Sequence, residues 1–150
     1  MTLVLDGRLR AAIAQHGERD YPREACGLIG GTVEGERKVA ARLEPLANLR
    51  DDSPRDRYLI SPDAFRDAAE RLARDGLEVV GVYHSHPDHP PRPSAFDLEH
   101  AWPWLSYVIV GVAHGRAEQS RVWILAEDRR AFVEEPLMIE DRKVAWPLPS

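Results

Sequence analysis

An α/β fold is what this sequence predicts, and three features carry the expectation. Glu78 to His86 alternates apolar residues as a strand does. Trp104 to Val112 (WLSYVIVGV) is almost continuously apolar, the mark of a strand covered on both faces. Two further stretches, starting near Leu5 and at Ser61, repeat apolar residues at helical spacing. Strands with helices before and between them assemble as a sandwich of sheet and helices.

Taken in order, Leu5, Leu9, Ala12, Ile13 and His16 form one buried helical stripe, with Asp6 as its cap and Gly17 as its stop. His16 is expected to be partly exposed at the helix end. Tyr21-Pro22 breaks the chain, and Glu24 stands at the mouth of the strand CGLIGG. Val33-Glu34-Gly35-Glu36 is read as a hairpin connection to a second strand over Lys38–Leu43. The polar stretch from Glu44 to Arg57 is a surface loop bordering the groove, in which Arg50, Arg55 and Arg57 read as solvated charges. Tyr58-Leu59-Ile60 is a short strand. Ser61-Pro62 supplies N-cap and first turn of a packing helix that ends before Gly76, with Phe65, Ala68, Ala69, Leu72 and Ala73 inward. After the central strand, a capped helix from Ala95 closes at Pro103. Ser120–Ala126 and Ala131–Glu135 are further strands, and residues 141–150 are expected to run as an extended C-terminal tail on a single domain spanning 1–140.

The chain has 150 residues, enough to bury about 68–70% of the surface its unfolded form exposes. Cys26 is the single cysteine, which excludes an intramolecular disulfide and a four-cysteine zinc site. A formal charge of −5 and a pI near 5.7 give no basic face for nucleic acid. No apolar run reaches the ~18 residues of a membrane span, and the N-terminal stretch lacks the pattern of a signal peptide, so a cytoplasmic location is expected.

Chemistry concentrates in EVVGVYHSHPDHPPRPSAFD, residues 78–97. Val80, Val82, His84 and His86 fall on alternate positions, so an extended strand sends all four to one face and sets two imidazoles side by side at its end. Ser85 then points to the opposite face, toward a structural hydrogen bond. Four prolines in PDHPPRP force the chain out of the sheet. Ser94 and Asp97 follow at the spacing of a helix cap and first-turn acid, which turns Asp97 back toward the strand end. Two histidines and a carboxylate suit Zn²⁺, with a fourth position open, as in catalytic sites. The plainer alternative is a helix cap beside two polar residues at a strand end.

The string His84-Ser85-His86, seven residues, then Ser94-x-x-Asp97, with Glu24 upstream in EACGLIG, resembles the metalloprotease signature of the JAMM (MPN+) family. The resemblance reaches from about Leu9 to Glu135, with specificity concentrated in the motif positions. It implies a three-layer, deaminase-like mixed β-sheet flanked by helices. It also implies that His84, His86 and Asp97 hold Zn²⁺, that Glu24 acts as general acid/base and that Ser94 donates to an oxyanion. Small bacterial members resemble hydrolases that cut an amide after the C-terminal diglycine of a ubiquitin-like sulfur-carrier protein, with cysteine among the adducts released. The expected partner is that carrier protein or its conjugate, with a homodimer as a second association. Polyubiquitin-specific relatives carry insertions for which this chain has no room.

Competing readings are set by the same residues. A non-catalytic MPN scaffold would usually lack the ligands, all of which are present. A zinc base deaminase needs a pair of cysteines that one cysteine cannot supply. His89 and His100 are the nearest rival ligands, His100 one turn beyond Asp97. Cys26 invites a nucleophile reading, although a small buried thiol is the simpler account.

Overall fold

A computed structural model describes residues 1–48 and 60–141. Among these the chain is a mixed α/β structure: an eight-stranded sheet with three helices. In chain order the elements are β1 (Thr2–Leu5), α1 (Gly7–Asp20), β2 (Cys26–Glu34), β3 (Arg37–Leu46), α2 (Pro62–Arg74), β4 (Glu78–Pro87), α3 (Ala95–Glu99), β5 (Ser106–Ala113), β6 (Arg116–Leu125), β7 (Phe132–Glu135) and β8 (Leu137–Ile139). In the sheet the strands lie in the order β7-β6-β5-β4-β2-β3-β1-β8. β4 runs parallel to β5, and β1 runs parallel to β3 and to β8. The remaining neighbours are antiparallel.

β7 and β8 stand at opposite ends of that order, yet only Pro136 separates them in the chain. The sheet therefore curls until its two ends meet, and the Pro136 carbonyl accepts from the Leu3 amide at 3.1 Å. Curvature is introduced where β3 and β4 each carry one extra residue, Ala41 and Val80, opposite the Ile29–Gly31 stretch of β2. Val80 is left without a partner across β2, because Ile29 pairs with Gly81 and Gly30 with Val79. Val80 consequently packs in the cluster with Tyr83 and Ile13 instead of sharing a face with Val82. Alternation predicts otherwise, and the bulge is the reason it fails. Beyond the bulge, Val82, His84 and His86 keep the expected common face.

Helices cover both faces of the sheet. Tyr83 joins the cluster that includes Ile13 of α1, whereas its neighbour Val82 joins Ala68 of α2. α1 is capped by Asp6, whose carboxylate accepts from the Arg8 and Leu9 amides. Ser61 caps α2 through the Ala64 amide, with Pro62 in the first turn.

Several boundaries differ from the sequence reading. α1 does not stop at Gly17 but continues to Asp20. A Cβ at Gly17 would lie 3.1 Å from Ser85 Cβ and Val112 Cγ2, so this glycine serves close approach of helix to sheet. His16 is buried rather than partly exposed, with its Nδ1 2.8 Å from the Tyr83 hydroxyl and its Nε2 3.2 Å from Asp20. β3 extends through Leu46, so the start of the expected loop is strand. β1 and β8 are strands that the periodicity did not single out. Arg50, Arg55, Arg57, the first two residues of the strand expected at Tyr58–Ile60, and the tail after Asp141 lie outside the described residues.

Candidate metal centre

The end of β4 and the start of α3 bring three donor atoms into a small triangle. His84 Nε2 lies 3.2 Å from His86 Nε2, and each is 3.3 Å from Asp97 Oδ2. A tetrahedron whose centre is about 2.0–2.1 Å from its corners has edges of about 3.3–3.4 Å, so this spacing matches one face of a zinc site. All three side chains are buried. Grouping two imidazoles and a carboxylate away from water is costly unless the cluster has a partner of its own, and a divalent cation fits that need.

Two of the three donors are aimed by hydrogen bonds from their surroundings. His86 Nδ1 donates to the Pro90 carbonyl at 2.9 Å, which leaves Nε2 with its lone pair toward the triangle. The proline-rich turn thus has a purpose beyond ending the strand: it supplies the carbonyl that fixes the His86 tautomer. Asp97 is held by a reciprocal cap. Its amide donates to Ser94 Oγ at 3.1 Å, while its Oδ2 accepts from the Ser94 amide at 2.8 Å. Burial alone would raise the Asp97 pKa, but the His84 and His86 imidazoles and the Ser94 amide outweigh it and hold the carboxyl well below the usual range. Burial lowers the His84 pKa against the pull of Asp97. Neutral imidazole and ionised carboxylate are the forms that ligate a metal.

Glu24 is delivered by strand register. Cys26 pairs with His84 across β2 and β4, which sets the chain just before β2 alongside His86. Glu24 is 1% exposed, and a carboxylate oxygen of it lies within 4.8 Å of a ring nitrogen of His84 and of one of His86. Ser85, facing the other way, accepts from the Ala25 amide at 2.8 Å and so ties β4 to the residue after Glu24. Glu24, His84, His86, Ser94 and Asp97 are thus gathered at one place. His100 is not: its ring stacks on Phe96 at 4.1 Å and its Nδ1 donates to the Phe96 carbonyl at 3.0 Å. His89 is exposed and outside the donor group. Cys26 is fully buried, and burial, with Glu24 and Asp20 nearby, pushes its thiol up to about 12, which is the behaviour of an inert thiol.

An apolar cleft of about 210 Å³ opens beside the triangle, lined by residues that include Val82, Phe65, His100, Trp102, Leu105 and Tyr107. Val82 precedes His84 by two positions on the same face of β4, and His100 is the C-cap of the helix that carries Asp97. Sequence reasoning did not find this cleft, because its walls come from three separate stretches of the chain.

Known proteins match this chain over different shares of its length. A Thermus thermophilus protein named as a probable TtuB-protein conjugate cleaving protease is 39% identical over 102 residues, 68% of this chain and 65% of that protein. The match thus spans just under two thirds of that relative's length. The CysO-cysteine peptidase of Mycobacterium tuberculosis is 30% identical over 142 residues, 93% of this chain and 92% of that protein. The solution structure of a Desulfitobacterium hafniense protein superposes with a TM-score of 0.80 at 29% identity, covering 94% of each chain. Residues 7–125 match the profile of the prokaryotic homologs of the JAB domain, a span that holds every residue of the donor cluster, and this chain belongs to that family.

Proposed function

We propose that the protein is a zinc-dependent isopeptidase or peptidase that hydrolyses the amide bond after the C-terminal diglycine of a ubiquitin-like, sulfur-carrier type protein, with cysteine as one adduct released. What supports this reading most is the buried triangle of His84, His86 and Asp97, at tetrahedral spacing with Glu24 beside it. The names of the Thermus and Mycobacterium relatives point to the same class of substrate.

His84, His86 and Asp97 would hold the ion. Once bound, a zinc ion polarises a carbonyl oxygen and makes hydroxide available near neutral pH. Glu24, close to both imidazoles, would accept a proton from the attacking water and return it to the departing amine. Ser94 Oγ already accepts from the Asp97 amide, so its hydroxyl proton is available to donate to the oxygen that becomes negative during attack. The fold is read as the three-layer, deaminase-like type, with the carrier protein docking at the cleft side. No helix among the described residues is long and apolar enough to cross a membrane, and the cytoplasm is the proposed location.

The test uses purified protein and a diglycine-linked ubiquitin-like conjugate. Cleavage that is abolished by a chelator and restored by zinc is expected. A zinc-loaded protein that cuts no such conjugate would overturn the proposal, and a protein that binds no zinc would favour a non-catalytic scaffold.

A further inference from the structure

A buried charged group far from the triangle is tied to the wall of the cleft. Lys38 in β3 is 0% exposed, and its ammonium donates to the Trp104 carbonyl and, at 2.9 Å, to Ser106 Oγ. Glu135 at the end of β7 is also buried, with its Oε2 3.6 Å from Lys38 Nζ, and its Oε1 accepts from the Ser106 hydroxyl. The Trp104 ring lies over the ammonium, 4.6 Å from its centroid. Burial lowers the Lys38 pKa, and Glu135 acts against that shift. These contacts clamp the segment between α3 and β5 from beneath. Trp104 needs such a clamp, since its φ of +74° is a conformation side-chain-bearing residues rarely adopt. The same segment supplies Trp102 and Leu105 to the cleft. Trp102 is fastened a second time, by its amide donating to the Tyr107 hydroxyl at 2.7 Å, and its ring packs on Phe65 at 4.6 Å.

We propose that Lys38, with Glu135 and Ser106, is a positioning group for the reaction: it holds the Trp102–Leu105 wall so that the cleft beside His84 and Asp97 admits an apolar side chain of the protein tail being cut. This rests on the peptidase reading above. The occupant follows from placement and lining. Val82 and His100 carry the cleft to within a few residues of His84 and Asp97 along β4 and α3, which puts it in reach of a chain extended across the triangle, and its walls offer chiefly apolar and aromatic surface. Lys38 touches neither substrate nor metal. Its influence is transmitted through the Trp104 carbonyl and through the Ser106 hydroxyl, which bridges Lys38 to Glu135 right beside Leu105.

The experiment compares wild type with Ser106→Ala, which leaves the ion pair in place, and with the double variant Lys38→Met/Glu135→Leu, which removes both buried charges together and so strands neither. Kinetics are measured on conjugates carrying Leu or Asp just ahead of the diglycine. For the Leu substrate the variants are expected to raise KM by about ten-fold, the scale of a lost apolar pocket contact, with kcat within about two-fold and zinc content unchanged. The preference for Leu over Asp should shrink in parallel, and Lys38→Arg should restore part of it. A folded, zinc-loaded variant with wild-type KM and preference would overturn the proposal. Binding of the apolar fluorophore phenylnaphthylamine reads the cleft without any cleavage, with Trp102→Ala as the control that empties the wall. Binding by wild type that is lost in the Ser106 and double variants supports the proposal even if no conjugate is cut, in which case only the peptidase reading fails. Equal binding by wild type and variants, or none by wild type, overturns it.

Discussion

His86 Nδ1 and the Pro90 carbonyl oxygen lie 2.9 Å apart, joining an imidazole of the donor triangle to the turn that leads from β4 to α3. The contact means that the loop between His86 and Asp97 helps to hold the triangle. It sets which nitrogen of His86 carries the proton and thereby which one faces Asp97.

Removing one corner of the triangle should remove the ion. His84→Ala and Asp97→Asn proteins are expected to lose bound zinc, measured by metal analysis after dialysis, whereas wild type retains one equivalent. A zinc-loaded Asp97→Asn protein would show that the carboxylate is not a ligand.

Glu24→Gln should separate binding from chemistry. Zinc stays bound, because the triangle is intact, while turnover falls by about 10²–10⁴-fold, the usual contribution of a positioned acid/base. Undiminished hydrolysis by this variant would take Glu24 out of the mechanism.

Ser94 has two tasks that two substitutions can pull apart. Ser94→Ala loses the cap on Asp97 and should cost about 0.5–2 kcal/mol of stability, read in denaturant melts. Ser94→Asn can restore a cap to α3. If Ser94 also donates to the oxyanion, Ser94→Asn regains stability but remains about 10²–10³-fold slow.

The Cys26 thiol, buried and pushed up to about 12, should resist iodoacetamide at neutral pH until the protein is unfolded. Rapid alkylation of native protein, followed by mass spectrometry, would reopen a thiol role.

His16 makes stability depend on pH in a defined direction. Burial lowers its pKa from the ordinary 6.5, against the attraction of Asp20, with Arg19 adding to the lowering and the Tyr83 hydroxyl as its neutral partner. The folded protein therefore binds the proton less readily than the unfolded chain. The contribution is fully present above 6.5 and is lost as pH falls from there through the folded value. Urea melts of wild type and His16→Gln across this window should show the smaller slope in the variant, and common contributions from other groups cancel in the difference.

What could be read from the sequence was what local spacing determines. His84 and His86 share a face because a strand alternates, and Asp97 turns back because a Ser-x-x-Asp cap closes on itself. Glu24 required the β2–β4 register, which spacing does not give, and entered through the family resemblance. Val80 was misread because a bulge shifts the alternation on β4 by one. His16 was misread because its partner Tyr83 is 67 residues away, and a polar residue near a helix end looks solvent-facing until that partner is known. The Lys38, Ser106 and Glu135 cluster spans three strands, and nothing near any one of them in the chain announces it.

The junction at Pro136 also governs when the molecule can finish folding. β1, made before the other described strands, has one flank against β3 and the other against β8, the last strand described. During synthesis Leu3, Val4 and Leu5 must wait for Leu137–Ile139 to leave the ribosome before that second flank is covered. A nascent chain halted before then exposes an unclaimed backbone rim beside its own apolar interior, an open edge that only β8 closes.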